Sequence, residues 1–236
     1  ITTDKVYKIK KINKAFVEED ELGGIDPYSA SKASAEIVTN SIFESFFNKK
    51  NKKVKIATVR SGNVLGGGDY SDNRIIPDVL KAINQNKNLI IRNPNHIRPW
   101  QHVIEPLDGY MVLAEKLFNN TNKNLGNAWN FGPKKNSFIN VYRLIIKISK
   151  LVKFKKISFK KNIYKETPVL KLNSQKSNKY LNWKQKWDID TTILKILDWN
   201  EAFKNKKNIR NTCENQIKDY LNLNYENILR KKCIWA

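Results

Sequence analysis

The segment that most constrains the fold is KVKIATVRSGNVLGGG (53–68), in which apolar and polar residues alternate before three glycines. Alternation with a period of two indicates a β-strand, and the glycines indicate a loop where the backbone approaches its neighbours closely. The preceding segment, 30–47, carries small and apolar residues at helical spacing. A helix that leads into a buried strand is typical of a parallel sheet, so the sequence predicts an α/β fold.

Other periodic segments extend this pattern along the chain. Amphipathic helices are predicted at 75–84, 105–120, 141–152 and 191–205, and a short strand at 128–133. No internal repeat and no low-complexity linker separates these segments. We therefore expect one continuous α/β body.

The first residues, ITTDK, have the pattern of a strand end. If Ile1 to Thr3 end a parallel strand, then Asp4 and Lys5 lie at the carboxyl edge of a sheet, where α/β folds bind their ligands. A sheet that begins at this edge requires earlier strands, and the chain's single methionine is Met111. We therefore expect the sequence to be the carboxyl-terminal part of a longer protein.

The chain has 44 Lys and Arg residues against 22 Asp and Glu residues, which gives a formal charge of +22. Such a charge favours a polyanionic partner such as nucleic acid. However, seven of the basic residues are Arg and the lysines are mixed with asparagines, whereas nucleic-acid recognition favours clustered Arg. We interpret the basic segments 48–55 and 153–161 as solvated surfaces, so nucleic acid is the less favoured partner.

The sequence contains no apolar run of the roughly 18 residues that span a membrane, and no signal-peptide pattern. We therefore predict a cytoplasmic protein with no membrane partner. The two cysteines, Cys213 and Cys233, are too few for a disulfide framework or a metal cluster. We predict two reduced thiols and no metal site.

Tyr28 and Lys32 have a spacing that suggests catalysis, because residues four apart share one face of a helix. A positive charge near a tyrosine favours the ionised phenol, which can then act as a general base. Tyr7 and Tyr180 also have a lysine four residues later, so spacing alone is a weak signal. Tyr28 is distinguished by the Thr-Asp-Lys strand end before it and by the small residues around it.

Four motifs together resemble the extended short-chain dehydrogenase/reductase family, and within it the nucleotide-sugar 4,6-dehydratases. They are TTDKVY (2–7), GGIDPYSASKASAE (23–36), RSGNVLGGGDYSDNRIIPD (60–78) and IRNPNHIRPWQHVIEPLDGY (91–110). The similarity continues through AWNFGP, ETPVLKLNSQKSNKYLNWKQKW and LDWNEAF to about residue 222. The two longest motifs are the specific ones, and they are similar to the branch that acts on CDP-glucose.

The resemblance implies a dinucleotide-binding domain with a smaller α/β substrate domain. For this chain it implies the carboxyl part of a Rossmann-type parallel sheet domain at 1–66 and 97–120, a sugar-nucleotide substrate domain at 67–96 and 121–205, and a helical tail at 206–236. The family binds NAD at an amino-terminal glycine-rich turn between a strand and a helix. The glycines at 66–68 precede loop-forming residues instead, so we expect the turn that holds the NAD pyrophosphate to lie outside this sequence.

The resemblance also implies a lyase that dehydrates CDP-glucose to CDP-4-keto-6-deoxyglucose through an internal redox cycle of bound NAD. Tyr28, assisted by Lys32 and Thr3, would take the proton from the 4-hydroxyl group, and Tyr28 and Lys32 would also contact NAD. Asp4 would protonate the hydroxyl group that leaves carbon 6. Lys5 stands where related dehydratases carry a glutamate, and the base at carbon 5 stays open.

For the diphosphate and the nucleoside of the substrate, the matched motifs imply Asn63, Arg74, Arg98, Gln101 and His102. An arginine can pair with phosphate oxygens through two N–H groups, and an amide side chain can read the edge of a pyrimidine.

Two neighbours of these residues have a different interpretation. We interpret His96 as a surface residue, and Trp100 either packs against a sugar or fills the core.

The family commonly dimerises through the helix that carries the tyrosine and the lysine, so we expect a homodimer or a homotetramer. The side of this helix away from Tyr28 offers Ile37, Ile42 and Phe46 as apolar contacts. Two alternatives to this function remain open. One is another nucleotide-sugar dehydratase or an epimerase of the same family, and the other is a basic nucleic-acid-binding module.

Overall fold

The computed structural model describes residues 1–9, 14–47, 54–119, 125–160 and 167–222. Most of the basic segment 48–55 lies outside the described residues, as do residues 223–236 of the predicted helical tail. The prediction of a reduced thiol at Cys233 falls there too, whereas Cys213 is an exposed free cysteine.

The described residues form seven α-helices and eight short strands. The helices are α1 (Pro27–Ile42), α2 (Ile75–Asn84), α3 (Ile104–Asn119), α4 (Val141–Ser149), α5 (Gln175–Leu181), α6 (Ile189–Lys204) and α7 (Ile209–Leu221). The strands are β1 (Thr58–Ser61), β2 (Val64–Leu65), β3 (Leu89–Arg92), β4 (Ile97–Pro99), β5 (Gln101–His102), β6 (Ala128–Phe131), β7 (Phe138–Asn140) and β8 (Ile157–Lys160). A 3₁₀ turn at Asp4–Val6 precedes α1, and a π-helical turn at Phe43–Phe47 follows it.

The strands pair in twos, and three of the four pairs are parallel. β1 pairs with β6, β2 with β5, and β3 with β8 in parallel, whereas β4 and β7 are antiparallel. The first residues lie beside β1, because the Thr2 N–H donates to the Val59 carbonyl at 2.8 Å. Parallel pairs joined through helices confirm the predicted α/β fold. The predicted division into two domains stays a prediction.

α1 begins where the sequence DPYS supplies a start signal. The Asp26 Oδ1 atom accepts a hydrogen bond of 3.0 Å from the Ser29 N–H, and Pro27 occupies the first helical position. Gly24 allows the preceding loop to contact the new helix, because a Cβ atom there would lie 2.4 Å from the backbone nitrogen of Ala30. This turn holds the amino end of α1 close to the loop before it.

α3 packs directly on β6. A Cβ atom at Gly109 would lie 2.3 Å from the ring of Phe131, so only a glycine permits this approach. The ring of Phe131 also packs edge-on against Trp183, with ring centres 5.1 Å apart. The predicted helix at 105–120 is thereby fixed on one face of the central strand pair.

The buried apolar residues form three clusters. The largest joins α2, α4 and α6 to β3 and contains Trp100, whose indole N–H donates to the Ile139 carbonyl at 2.9 Å. Trp100 is therefore a core residue, and the sugar-stacking alternative is wrong. The second cluster lies between α3, β1 and β6. The third contains Tyr7, Phe16 and Leu170 and joins the first residues of the chain to more distant segments.

The glycines at 66–68 serve helix packing. A Cβ atom at Gly67 would lie 2.2 Å from the ring of Trp199 on α6, and Gly68 has a φ of 78°. No helix begins until Ile75, which agrees with the prediction that this triplet is not a strand–turn–helix phosphate loop. Within the described residues, the longest helices have 16 residues, and every helix is too short or too polar to cross a bilayer.

Candidate functional site

A cleft of about 260 Å³ lies beside the first residues of the chain. Residues 1–3, which were predicted to end a parallel strand, form no regular strand, although the Thr2 N–H donates to the Val59 carbonyl of β1. Three of the predicted site residues line the cleft, namely Lys5, Tyr28 and Arg98. The other described lining residues are Tyr7, Ile9, Gly24, Ile25, Asp26, Ser29, Thr167 and Leu170. Ligand pockets usually measure roughly 300–1,000 Å³, so this cleft has room for part of a nucleotide sugar rather than for all of it.

Asp4 precedes Lys5, which lines the cleft, and is a buried carboxylic acid with 3% of its surface exposed. Its Oδ1 atom accepts a hydrogen bond of 3.1 Å from the Thr3 hydroxyl, and its Oδ2 atom has no hydrogen-bond partner among the described residues. Burial raises the pKa of Asp4 to about 6, although the Thr3 hydrogen bond and the charges of Lys5 and Arg98 act in the opposite direction. Asp4 can therefore give or take a proton near neutral pH.

Tyr28 lies at the start of α1, with 51% of its surface exposed. Lys32 follows one helical turn later and is half-buried. The Lys5 Nζ atom lies 5.8 Å from the centre of the Tyr28 ring, so a positive charge is close to the phenol. The Thr3 hydroxyl donates to Asp4, and its predicted help to Tyr28 stays a prediction.

Arg98 is a buried cation on the cleft wall, with 6% of its surface exposed. Its Nη1 atom donates to the carbonyl oxygens of Ile97 and Pro168 at 3.0 and 3.3 Å. Its Nη2 atom lies 3.1 Å from the Nδ1 atom of His96, which is half-buried rather than a freely exposed surface residue. These contacts fix the guanidinium group at the cleft, where it can meet an anion.

Gln101 and His102 are buried in β5 and do not line the cleft. The Gln101 Nε2 atom donates to the Phe131 carbonyl at 2.8 Å, and its Oε1 atom has no partner among the described residues. The His102 Nδ1 atom accepts from the Ile104 N–H at 3.3 Å, and the ring packs edge-on against Trp187. Burial lowers the pKa of His102 to about 4, so its imidazole is neutral at pH 7.

Asn63 and Arg74 also lie outside the described lining of the cleft. The Asn63 carbonyl accepts a hydrogen bond of 3.1 Å from the Gln101 N–H, so these two residues are neighbours at the carboxyl end of β1. Arg74 precedes α2 and is exposed, with its Nη1 atom 3.4 Å from the Asp69 carboxylate. The structure therefore places Lys5, Tyr28 and Arg98 around one cleft, whereas the other predicted catalytic and substrate residues lie outside its described lining.

Tyr7 is a cleft residue that the sequence did not single out. Its hydroxyl donates to the Asn130 Oδ1 atom at 2.6 Å and accepts from the Arg60 Nη1 atom at 2.9 Å. Its ring stacks on Phe16, with ring centres 4.7 Å apart. The partners are 53 and 123 residues away in the chain, so the sequence signal was limited to the position of Tyr7 three residues after Asp4.

The arrangement combines an exposed phenol, two cations and a neighbouring buried carboxylic acid. Such a set can move protons to and from a polar ligand while the cations hold a negative charge. The fold and the cleft together define an α/β protein whose cleft is lined by a phenol and by two cations.

The chain belongs to the GDP-mannose 4,6 dehydratase family, whose sequence profile matches residues 1–196. It is 38% identical over 226 residues to the CDP-glucose 4,6-dehydratase of Salmonella typhimurium, covering 94% of this chain and 63% of that protein. It is 24% identical over 223 residues to the human dTDP-D-glucose 4,6-dehydratase, covering 91% of this chain and 59% of the relative. These matches confirm the resemblance to nucleotide-sugar dehydratases and do not favour the nucleic-acid-binding alternative.

Solved structures share the fold. The crystal structure of dTDP-glucose 4,6-dehydratase from Bacillus anthracis in complex with NAD matches with a TM-score of 0.71 and 21% identity, over 85% of this chain and 60% of that one. UDP-glucuronic acid 4-epimerase from Bacillus cereus, in complex with UDP-glucuronic acid and NAD, matches with a TM-score of 0.70 and 18% identity, over 86% and 60%. The chain thus spans about three-fifths of the length of these proteins.

Proposed function

We propose that this chain carries the acid–base residues and the sugar-binding cleft of a CDP-glucose 4,6-dehydratase, a lyase that forms CDP-4-keto-6-deoxyglucose. The chain matches 63% of the length of the Salmonella relative. CDP-glucose is preferred over other nucleotide sugars because that relative has 38% identity, against 24% for the human enzyme named for dTDP-glucose.

The observation that carries the proposal is the state of Asp4 beside the cleft. An acid that protonates a departing hydroxyl group must hold its proton near neutral pH, and burial raises the pKa of Asp4 to about 6. The Oδ2 atom of Asp4 is buried and has no hydrogen-bond partner among the described residues. Tyr28 and Lys5 line the adjoining cleft, within reach of the same bound sugar.

Each residue then has a separate part in the reaction. Tyr28 takes the proton from the 4-hydroxyl group, with Lys32 and Lys5 favouring the ionised phenol. The ketone that results at carbon 4 acidifies the proton at carbon 5. Asp4 gives its proton to the hydroxyl group that leaves carbon 6, and Thr3 orients the Asp4 carboxyl group by its hydrogen bond.

NAD is the cofactor that the reaction requires. Tyr28 and Lys32 would contact it, because Tyr28 lines the cleft and Lys32 lies one turn later on the same helix. When bound, NAD supplies reversible hydride chemistry at carbons 4 and 6 of the sugar. The fit is supported by the half-exposed phenol of Tyr28, which leaves room for a ring beside it.

The diphosphate of the substrate would meet Arg98, which is the cation fixed on the cleft wall. Since the cleft is too small for the whole substrate, the nucleoside would extend beyond it. Arg74 is exposed and could meet the nucleotide there, together with Asn63. Gln101 and His102 are buried, and they would support this region from inside.

The test is an assay of the full-length protein with CDP-glucose and NAD for 4-keto product, with dTDP-glucose and UDP-glucose as competitors. We expect product from CDP-glucose, and Tyr28→Phe should lower kcat by about a thousandfold or more while leaving substrate binding nearly unchanged. Tyr142→Phe, at an exposed position on α4, is the matched control. Preference for another nucleotide would redirect the proposal within the family, and more than a tenth of the activity in Tyr28→Phe would overturn the role of Tyr28.

We also propose a homodimer through α1, with a homotetramer as the larger alternative. Ile37, Ile42 and Phe46 have 58%, 45% and 66% of their surfaces exposed, which is unusual for large apolar side chains on one helix and the turn that follows it. A two-fold pairing of this face would bury them. Light scattering should give a dimer for the full-length protein and a monomer for Ile37→Lys, and a monomeric unsubstituted protein at micromolar concentration would refute the proposal.

A further inference from the structure

Glu36 is a buried carboxylate in the middle of α1, with 4% of its surface exposed. Its oxygens accept hydrogen bonds from the Arg60 Nη2 and Nε atoms at 2.5 and 2.9 Å. The Thr58 hydroxyl donates to it at 3.1 Å and the Thr2 hydroxyl at 2.5 Å. One carboxylate therefore ties α1 to β1 and to the first residues of the chain.

The pair formed by Glu36 and Arg60 is ionised inside the protein. Burial alone would raise the pKa of Glu36, but the hydrogen bonds from Arg60 and Thr2 outweigh it and bring the pKa below its usual value. Arg60 is also buried, with 3% of its surface exposed, and the Glu36 carboxylate keeps its charge in place. A charged pair in this position holds its geometry strictly, because any separation exposes unpaired charge to a low dielectric.

Apolar packing does little to fix the rotation of α1. The buried residues of this helix are Ser29, Ala33 and Glu36, so the only apolar side chain among them is the methyl group of Ala33. Tyr28 and Lys32 lie at the edge of this narrow stripe, each one position before a buried residue. A small rotation of α1 would therefore move both of them relative to the cleft, and Glu36 is the contact that resists it.

We propose that Glu36, held by Arg60, is a positioning residue that sets Tyr28 and Lys32 against Asp4. Glu36 follows Tyr28 by eight residues, or about 12 Å along the helix axis. Thr2 precedes Asp4 by two residues, so the same carboxylate holds both halves of the acid–base pair. This inference rests on the proposed function, in which Tyr28 and Asp4 act on one sugar.

The contact continues to the cleft wall through Arg60. The Nη1 atom of Arg60 donates to the Tyr7 hydroxyl at 2.9 Å and to the Glu18 carbonyl at 3.0 Å. Tyr7 lines the cleft, and its other partner is the Asn130 side chain in β6. The network thus connects the helix of Tyr28, through β1, to Tyr7 in the cleft lining.

The first experiment replaces the pair with apolar residues of similar size, Glu36→Leu with Arg60→Met, in the full-length protein. Such a replacement of a buried ion pair is often neutral for stability, so the variant should fold. We expect kcat to fall about 100-fold with KM within about threefold, since a misplacement of about 1 Å can cost that much. A folded double variant with unchanged kcat would overturn the proposal. The matched control, Lys147→Met with Asp190→Leu, removes a pair between α4 and α6 away from the cleft.

The second experiment compares two single variants that each remove one hydroxyl group from Glu36. Thr2→Val breaks the link to the Asp4 segment, and Thr58→Val breaks only the link to β1. We expect Thr2→Val to lower kcat about tenfold and Thr58→Val less than twofold, because Thr2 lies two residues from Asp4 whereas Thr58 lies in β1. Equal losses in the two variants would contradict the positioning role.

A crystal structure of the double variant gives a readout that does not depend on activity. We expect the distance from the Tyr28 hydroxyl to the Asp4 carboxylate to change by about 1 Å, and an unchanged distance would overturn the proposal. If the unsubstituted protein forms no 4-keto product but this distance changes, the proposed function fails and the positioning role stands. If product forms at the same rate in both proteins, the positioning role fails and the proposed function stands.

Discussion

Asp4 and Glu36 are both buried carboxylic acids, with 3% and 4% of their surfaces exposed, but their surroundings are opposite. Asp4 accepts one side-chain hydrogen bond, from Thr3, and its Oδ2 atom has no partner among the described residues. Glu36 accepts hydrogen bonds from Thr2, Thr58 and Arg60, including two nitrogens of the guanidinium group. Burial raises the pKa of Asp4 to about 6, whereas the contacts of Glu36 lower its pKa.

The difference separates a group that can react from a group that holds the fold. Burial of Asp4 outweighs the charges of Lys5 and Arg98, so its ionised form is costly and it can exchange a proton near pH 6, which is a pattern found at functional sites. A buried acid with a full set of donors stays ionised and rigid. The two acids lie on elements that Thr2 connects, so the reactive group is built directly on the rigid one.

The largest effect that tests this comparison is on catalysis at Asp4. Asp4→Asn removes the exchangeable proton and should lower kcat of the full-length protein about a thousandfold, within the range for a lost general acid. Because Asp4 acts after the sugar is oxidised, the reduced nicotinamide should accumulate and its absorbance should rise. Asp190→Asn, the same change on the surface of α6, is the control. Loss of both product and reduced cofactor would instead assign Asp4 to substrate binding.

The next effect is on stability at Glu36. Glu36→Gln leaves the Arg60 guanidinium buried without a counter-charge and should lower the free energy of unfolding by about 3–5 kcal/mol. Urea unfolding at pH 7 measures this change, and Glu36→Leu with Arg60→Met should recover most of it. A loss below about 1 kcal/mol in Glu36→Gln would mean that the ion pair between Glu36 and Arg60 contributes no more than an exposed pair and does not hold α1 in place.

The sequence predicted the helices better than the strands. The helix predicted at 75–84 is α2 with the same bounds, because its apolar residues repeat every three to four positions over its whole length. The strands β4 and β7 have three residues each and pair with each other across about 40 residues of chain, so their positions depend on distant partners. The 3₁₀ turn at Asp4–Val6 was also not predicted, because it depends on the Thr3 cap and on packing around it.

The candidate site could be predicted only in part, because motifs indicate residue types but not which residues are buried. The motif resemblance singled out Lys5, Tyr28 and Arg98, and the structure brings these three to one cleft. It did not indicate that Gln101 and His102 are buried, since burial depends on the elements that pack over β5. The predicted substrate-binding roles of Gln101 and His102, and the predicted roles of the three cleft residues, stay predictions.

Glu36 was missed although it continues the spacing of Tyr28 and Lys32 by four more residues. That spacing was a signal in the sequence, but a glutamate on a helix is usually exposed. Its burial depends on Arg60, 24 residues later.

A smaller effect is the dependence of stability on pH. The pKa of Asp4 is raised from 3.8 to about 6, so its protonated form stabilises the fold fully below pH 4, and this contribution is lost as the pH rises through 6. The free energy of unfolding of the unsubstituted protein should therefore fall relative to Asp4→Asn by about 2 kcal/mol between pH 4 and pH 7.5. Since Glu36 has a lowered pKa, its own contribution is lost only below about pH 4.5.

The subtraction of the two proteins isolates Asp4 in this measurement. His102, whose pKa is lowered to about 4, destabilises the fold as the pH falls from about 6.5 to 4, but it is present in both proteins and cancels. Urea unfolding at several pH values gives the two curves. If the two curves of unfolding free energy against pH are parallel across this range, the pKa of Asp4 is not raised by folding.

Glu105 is a third buried carboxylate and separates the effect of hydrogen bonds from that of a counter-charge. It is fully buried and accepts from the Trp187 N–H at 2.7 Å, from the Lys186 N–H at 3.1 Å and from the Tyr220 hydroxyl at 2.9 Å. These donors are neutral groups, and burial still raises the pKa of Glu105. Glu105 thus has several donors like Glu36 but a raised pKa like Asp4, because its donors are neutral and the nearby Asp108 charge adds to the effect of burial, whereas Glu36 is paired with the cation Arg60.

The smallest effect follows from this third carboxylate. Tyr220 lies on α7, beyond the residues that match the family profile, and its hydroxyl also donates to Asp108 at 3.2 Å. Tyr220→Phe removes one donor but leaves the two backbone N–H groups on Glu105, so the free energy of unfolding should fall by about 1–2 kcal/mol. Tyr142→Phe, at an exposed tyrosine, should change it by less than about 0.5 kcal/mol. A loss of about 3 kcal/mol or more in Tyr220→Phe would mean that the phenol, rather than the backbone, keeps Glu105 in place. Hydrogen bonds without a counter-charge would then hold a buried acid as firmly as Arg60 holds Glu36.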